Sequence, residues 1–264
     1  MTDQTKTAVR PWRRFLRFSV RGIIVLVLVI GAGLGWLVHS VRIQREAVAA
    51  IRRANGKVFY NWQWTNGSPV AGGEPRGPRW MVKAFGVDYF NSVVSVVIPV
   101  ASDDDLIQIG KLGQLRDLLI VRSDMTDAGL AHLKGLTRLN HVGLGHTHVT
   151  DAGLTHLKGL MQLSGVDLRD TRVTDAGLMD LKGLTNLSSL VLDGTQVSDH
   201  GLAHLKVLTN LGSLSLSGTR VSDAGLPHLT GLVQLSVLWL NDTHVTDAGI
   251  RKLKQALPSL TIYH

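Results

Sequence analysis

The side chains able to do chemistry in this chain recur at a fixed spacing. Asp103, Asp127, Asp151, Asp175, Asp199, Asp223 and Asp247 stand 24 residues apart, each behind a Ser or Thr. A ladder of carboxylates could bind cations. The same pair also suits the start of a helix, where the hydroxyl takes an orphan backbone N–H and the carboxylate meets the positive helix end. That capping role accounts for both residue types, so no cation is expected. Ser123, Thr147, Thr171, Thr195, Thr219 and Thr243 form a second column, with hydroxyls able to bond the loop backbone of the neighbouring turn. His132, His156, His204 and His228 form a third. Successive helical coils stand about 10 Å apart, too far to share a metal ion whose bonds are about 2 Å long. His146, His148 and Asp170 offer two imidazoles and a carboxylate, a donor set zinc accepts, but no partner that would orient the imidazoles is identifiable. No metal and no cofactor are expected. The chain has no cysteine, which removes disulfides, thiolate chemistry and Cys-based zinc sites. No phosphate-binding loop, nucleophile elbow or metalloprotease helix is present. The chain reads as a non-enzyme without catalytic residues.

These columns are positioned by a repeat. The phrase TDAGLAHLKGLTRLNHVGLGHTHV from Thr126 to Val149 returns at Thr150, Thr174, Ser198 and Ser222; a shortened copy opens at Thr246 and a degenerate one at Ser102. In the copy from Thr174 to Val197, Leu178, Leu181 and Leu184 recur every third residue, on one side of a short helical or 3₁₀ segment. Leu190 and Leu192 then alternate with Ser189, Val191 and Asp193, the period of a strand with one buried face. Neither half can bury its leucines alone. Stacking the copies joins the strands into a parallel sheet and the leucines into one core, with right-handed crossovers. The fold class is an α/β solenoid.

The T/S-D-x-G-L opening and the leucine spacing resemble the leucine-rich repeat family. The opening is similar to the cysteine-containing subclass of F-box adaptors, with Thr where that subclass has Cys. It is more similar still to bacterial membrane-anchored leucine-rich repeat proteins built on T-D-A-G-L-x-x-L-K-G-L-T. The resemblance covers Ser102 to His264. It implies a horseshoe with a parallel concave sheet, short helices on the convex side and protein partners on the concave face, and no catalytic residues.

The chain carries a formal net charge of +8, which would suit nucleic acid. The excess is not on the repeats. Residues 1–57 hold eleven Lys or Arg against two acids, whereas residues 102–264 hold fourteen against sixteen. A nucleic-acid footprint should lie on the folded domain, so none is expected. The basic residues flank the uncharged stretch Gly22 to Val41, which as a helix spans about 30 Å of hydrocarbon. We read residues 1–21 as a basic cytoplasmic tail in contact with acidic headgroups. Residues 22–41 read as a single-pass transmembrane helix, an uncleaved signal-anchor, with a cleaved signal peptide as the rival. The arginine balance leans toward repeats outside the cytoplasm.

Residues 42–101 should cap the solenoid, which otherwise exposes core leucines at its first coil. Within them the pattern predicts a helix over Val41 to Ala54 closed by Asn55-Gly56, a strand over Val58 to Trp64, a loop over Thr65 to Pro78, a helix over Arg79 to Phe90 and a strand over Val93 to Ile98. Trp62 and Trp64 could form a ligand clamp, although paired aromatics more often pack. Residues 102–264 hold seven units of about 24 residues and end in a closing strand over Leu260 to Tyr263.

The strand positions facing away from the core vary between copies while the buried columns are monotonous, as a binding surface requires. Leu119, His141, Asp167, Arg169, Val191, Asp193, Trp239 and Asn241 are its expected binding residues, with a protein or peptide as the ligand and the bilayer as the other partner. Exposed Trp239, Leu119 and Val121 would be costly without a partner. Lys134, Lys158, Lys182 and Lys206 line the other side, as a solvated face would. A self-associating structural protein is the alternative. A soluble F-box-like adaptor is a third reading, and it meets a membrane span where that family has its F-box.

Overall fold

The computed structural model describes residues 20–65, 68–70 and 73–264. The basic tail expected over residues 1–21 lies outside these, apart from the two residues that open the first helix. The chain forms two compact units, Met1–Val41 and Arg42–His264.

The expected membrane run and the helix expected after it are one element, α1 (Val20–Arg53, 34 residues). No Gly or Pro stands between Gly35 and Gly56, so nothing interrupts helix propagation across Val41. The stretch Gly22–Arg53 contains one helix long and apolar enough to cross a membrane, and none of its most apolar window is buried. The helix stops where Asn55 turns left-handed (φ 55°) and the Gly56 N–H donates to Ile51 O at 2.8 Å, a left-handed cap. In the last turns of α1, Ala47 and Ile51 are fully buried.

The second unit is built on a nine-stranded sheet among the described residues, in the order β1-β4-β5-β6-β7-β8-β9-β10-β11. Strand β1 (Lys57–Tyr60) pairs antiparallel with β4 (Val93–Ile98). From β4 onward the pairing is parallel through β5 (Asp117–Ile120), β6 (His141–Gly143), β7 (Gly165–Asp167), β8 (Ser189–Val191), β9 (Ser213–Ser215), β10 (Val237–Trp239) and β11 (Thr261–Tyr263). Between β1 and β4 the chain differs from its pattern. Trp64–Thr65 (β2) and Ser68–Pro69 (β3) form a two-stranded hairpin inside the expected loop. The helix expected to reach Phe90 divides at Gly86 (φ 89°) into α2 (Arg79–Phe85) and a 3₁₀ turn over Val87–Tyr89.

Each repeat folds as one short helical segment and one short strand. The leucines at both ends of that path, such as Leu178, Leu181, Leu184, Leu190 and Leu192, are fully buried in one continuous core. The carboxylate column stands in the first helical turn, as expected, at Asp103, Asp127, Asp151, Asp199 and Asp247, and does a second job as well. The hydroxyls of Thr126, Thr150 and Ser198 do cap their own helices, accepting from the backbone two residues on. The Asp that follows each hydroxyl reaches forward into the next coil. Asp127 accepts the Thr150 N–H at 2.8 Å and its hydroxyl at 2.6 Å; Asp151 does the same for Thr174, Asp175 for Ser198, Asp199 for Ser222 and Asp223 for Thr246. At Asp223 these bonds, the Thr246 backbone N–H first, lower the carboxylate pKa.

This rung also explains the glycine two residues after each Asp from Asp127 onward. A Cβ at Gly153, Gly177, Gly201 or Gly225 would stand under 3.0 Å from Oδ1 of the preceding coil's Asp. Glycine is required there for close approach, not for an unusual φ. The second hydroxyl column turns inward as well. Thr147, Thr171, Thr195, Thr219 and Thr243 donate to the carbonyl three residues back in their own coil. Only Ser123 reaches across, to the carbonyl of Ala101.

The rung is testable. Gly201→Ala should destabilise the unit by about 1–3 kcal/mol through overpacking. Asp175→Ala should cost about 1–3 kcal/mol through the unpaired Ser198 donors. In the Asp175→Ala background most of the Gly201→Ala cost should vanish, because the carboxylate was the closest obstacle. Denaturant melts of the four proteins measure this, and purely additive costs would refute the contact. The contribution of Asp223 should be full above the ordinary Asp value, about 3.9, and be lost as pH falls through its lower folded value. A pH series on Asp223→Asn checks the sign.

Candidate functional site

The strand register sets side chains in rows across the outer face of the sheet. One row runs Ser95, Asp117, His141, Gly165, Ser189, Ser213, Val237 and Thr261. The next runs Val97, Leu119, Gly143, Asp167, Val191, Ser215, Trp239 and Tyr263. Strands stand about 4.8 Å apart, so neighbours in a row touch.

Gly143 and Gly165 interrupt these rows and Gly145 follows the strand end, and the side chains beside the three lie over the gaps. A Cβ at Gly143 would collide with Leu119 Cδ1, one at Gly165 with His141 Cδ2 and one at Gly145 with Arg169 Cγ. Gly143, Gly145 and Gly165 are therefore buried, not open to solvent as the alternation implies. With no side chain rising from Gly143 or Gly165, the sheet has a depression of about 480 Å³ spanning β4 to β8. Leu119, His141, Asp167 and Val191 line it, with Ser95, Val97, Asp117, Ser189 and Trp64. Of the apolar side chains that line it, Leu119 alone is exposed, with 44% of its surface in solvent.

One wall of the depression comes from outside the repeats. The indole Nε1–H of Trp64, on β2, donates to Asp117 Oδ2 at 2.6 Å, and the Trp64 ring packs on Phe59 with centroids 4.7 Å apart. The other Asp117 oxygen is 2.7 Å from His141 Nδ1, and His141 Nε2 is 3.2 Å from the Ser164 hydroxyl. Asp117 thus holds the hairpin and the His141 ring at once, from a buried position. In the same lining, the hydroxyl of Ser95 is buried and lacks a hydrogen-bond partner. The line Asp117–His141–Ser164 has the order of a nucleophilic triad. The Ser164 and Gly165 N–H groups, however, are both spent on Asn140 O. They offer no donors to a developing oxyanion, and the Ser164 hydroxyl also lies 3.3 Å from Asn140 O. Of the tryptophan pair, Trp64 alone lines the depression, while Trp62 packs against the core.

The other expected binding residues stand elsewhere on the face. Arg169 chelates Asp167 through Nε and Nη2 at 2.9 to 3.0 Å, and that bonding is the main cause raising its pKa. Asp193 accepts the Ser217 N–H at 2.9 Å and the Ser215 hydroxyl. Asn241 is exposed. Trp239 is half-buried, because its ring stacks on Tyr263 of the adjacent closing strand at 5.7 Å and 13°; it is not an unpartnered ring. Leu119 and Val121 are exposed as expected. His146 meets Asp170 at 3.1 Å, but no group of three metal-ligating side chains among the described residues could hold an ion. The aromatic pair signals Trp64 as a possible ligand contact but not its carboxylate partner, which lies 53 residues away; Ser95 carried no sequence signal, lying in a strand that reads as uniformly buried.

Asp117→Ala should orphan the Trp64 and His141 donors together and cost about 1–3 kcal/mol. Trp64 should then become more accessible to an aqueous quencher. Unchanged stability and unchanged quenching would show that Asp117 does not hold the hairpin.

No protein-family model matches the chain, and no curated protein matches it. Among solved structures, an internalin from Listeria monocytogenes matches 63% of this chain with 25% identity and a TM-score of 0.53; the chain spans 47% of that protein. Internalin C2 from the same organism matches 64% with 27% identity and a TM-score of 0.53, over 70% of its own length. Internalins are leucine-rich repeat proteins, and this chain shares that solenoid fold, preceded here by one long apolar helix.

Proposed function

We propose that the chain is a membrane-anchored protein-interaction module that takes a protein or peptide on its concave sheet. The observation that carries this reading is the glycine-floored depression walled by Trp64, Asp117 and His141, with Leu119 exposed at its edge. A concave surface with an apolar floor and few, fixed polar groups suits a ligand. Its polar groups are already oriented by one another, so little ordering is left for binding to cost. Leu119, His141, Asp167 and Val191 form the centre of the proposed face. Arg169 and Asp193 form its edge, and Trp239 and Asn241 extend it toward the closing strand. Four spacings from β4 to β8 span about 19 Å, enough for a helix or an extended peptide. The internalin-like architecture favours a protein partner.

The anchor is α1 over residues 22–41, with the repeats outside the cytoplasm. Its apolar side chains from Ile23 to Ile30 are about half exposed, which is costly in water and favourable in hydrocarbon.

With detergent-solubilised full chain as bait, Leu119→Asp should abolish capture of a specific partner. Trp239→Ala with Arg169→Ala should weaken it, each interface anchor being worth about 2 kcal/mol or more. Equal capture by these variants, or loss only when Lys134, Lys158 and Lys182 are changed, would move the site to the convex side. Recovery of the protein's own copies alone would support self-association instead. Carbonate extraction tests the anchor separately: the full chain should stay with the membrane pellet. Release, or a mature N-terminus near Val41, would show a cleaved signal.

A further inference from the structure

Helix α2 (Arg79–Phe85) has no buried residue. Trp80 keeps 68% and Phe85 48% of its surface in solvent. A seven-residue helix is too short to be stable in water without packing one face on something, and an exposed Trp is rarely left without a partner. The residues around it are basic: positions 74–85 hold Arg76, Arg79 and Lys83 against Glu74 alone, and Glu74 is paired to Arg79 at 2.8 Å. Exposed aromatics beside net positive charge are the chemistry of a bilayer interface with anionic headgroups.

Covalent connectivity places this chemistry near such an interface. Arg45 donates to the Phe85 carbonyl, lies 3.6 Å from Asp88 and sets its guanidinium over the Tyr89 ring at 5.1 Å. One turn of the same network holds Gln44, which donates to Asp88 at 2.9 Å and to Asn91 O at 2.8 Å, and Tyr60, whose hydroxyl donates to Asp88 at 3.0 Å. Burial first, then Asp88, raises the Tyr60 pKa, so the phenol keeps its proton and the network its donor. Arg45 is only four residues past Val41 on helix α1, about 6 Å at 1.5 Å per residue. The end of α2 is therefore tied to α1 within about one helical turn of the uncharged stretch.

We propose that α2 docks on the surface of an anionic bilayer, with Trp80 and Phe85 in the headgroup region and Arg76, Arg79 and Lys83 against lipid phosphates. The contact fixes the solenoid at the membrane through a second point beside its anchor. It rests on residues 22–41 spanning the bilayer.

The cysteine-free sequence makes the test direct. Single cysteines at Ala84, which is exposed one turn from Trp80, at Leu28 and at Val233 are nitroxide-labelled. The full chain is reconstituted in vesicles of phosphatidylcholine and phosphatidylglycerol, and accessibility to oxygen and to an aqueous nickel chelate is measured. The Ala84 label should be shielded from nickel relative to the Val233 label, and less deeply placed than the Leu28 label. Trp80→Ser with Phe85→Ser should return it to the accessibility of Val233, while the thermal melt of the repeats stays unchanged. An Ala84 label as nickel-accessible as Val233, with Leu28 in the acyl core, overturns the docking and leaves the anchor standing. Shielding that survives the double substitution also overturns it. A Leu28 label in water overturns the anchor and the docking together.

Discussion

The rung from each Asp to the next coil's Ser or Thr is the contact on which the array depends. Leucines alone would hold neighbouring coils together without fixing their register, since dispersion and burial are non-directional. A carboxylate that accepts one backbone N–H and one hydroxyl of the following coil is directional on both oxygens. Its bonds are charge-assisted and short. The glycine beneath it lets the coils approach until those bonds close. Asp, Ser or Thr, and Gly thus form one device with its parts spread over two repeats, and the 24-residue period keeps them in step.

Once the coils are in register, the outer rows of the sheet are fixed, and the composition of each row becomes local relief. Glycine at 143 and 165 lowers the floor; Leu119 and His141 lie across it; Asp117 anchors both His141 and the indole of Trp64. The rigid frame explains why so few residues suffice to shape a site.

The N-terminal residues solve two problems of a solenoid at once. Strand β1 covers the edge of β4 by antiparallel pairing, so the sheet ends there in a strand of four residues, and a short edge is a poor template for other strands. The final turns of α1 bury Ala47 and Ile51 in the same core as the repeats. Gln44 and Arg45 add polar ties from these turns to Asn91 and Asp88.

The period, the leucine phase and the parallel sheet were legible in the residues because every coil repeats the same local problem, and a pattern seen six times leaves one solution. The helix expected after Val41 and the closing strand at Thr261–Tyr263 were legible for the same reason: periodicity is a local property. What tertiary structure decided are contacts between residues distant in sequence or unlike their neighbours in the pattern. The Asp column reads as capping because a single repeat shows no partner for it; the partner lies 23 residues ahead. Trp239 reads as exposed by alternation, yet Tyr263 covers it. Glycines that alternate outward are buried by the side chains across the strand. Trp64 meets Asp117 across 53 residues through a hairpin that no period announces. Repetition encodes the frame, whereas the site arises where the repetition is broken, and only packing in three dimensions brings those breaks together.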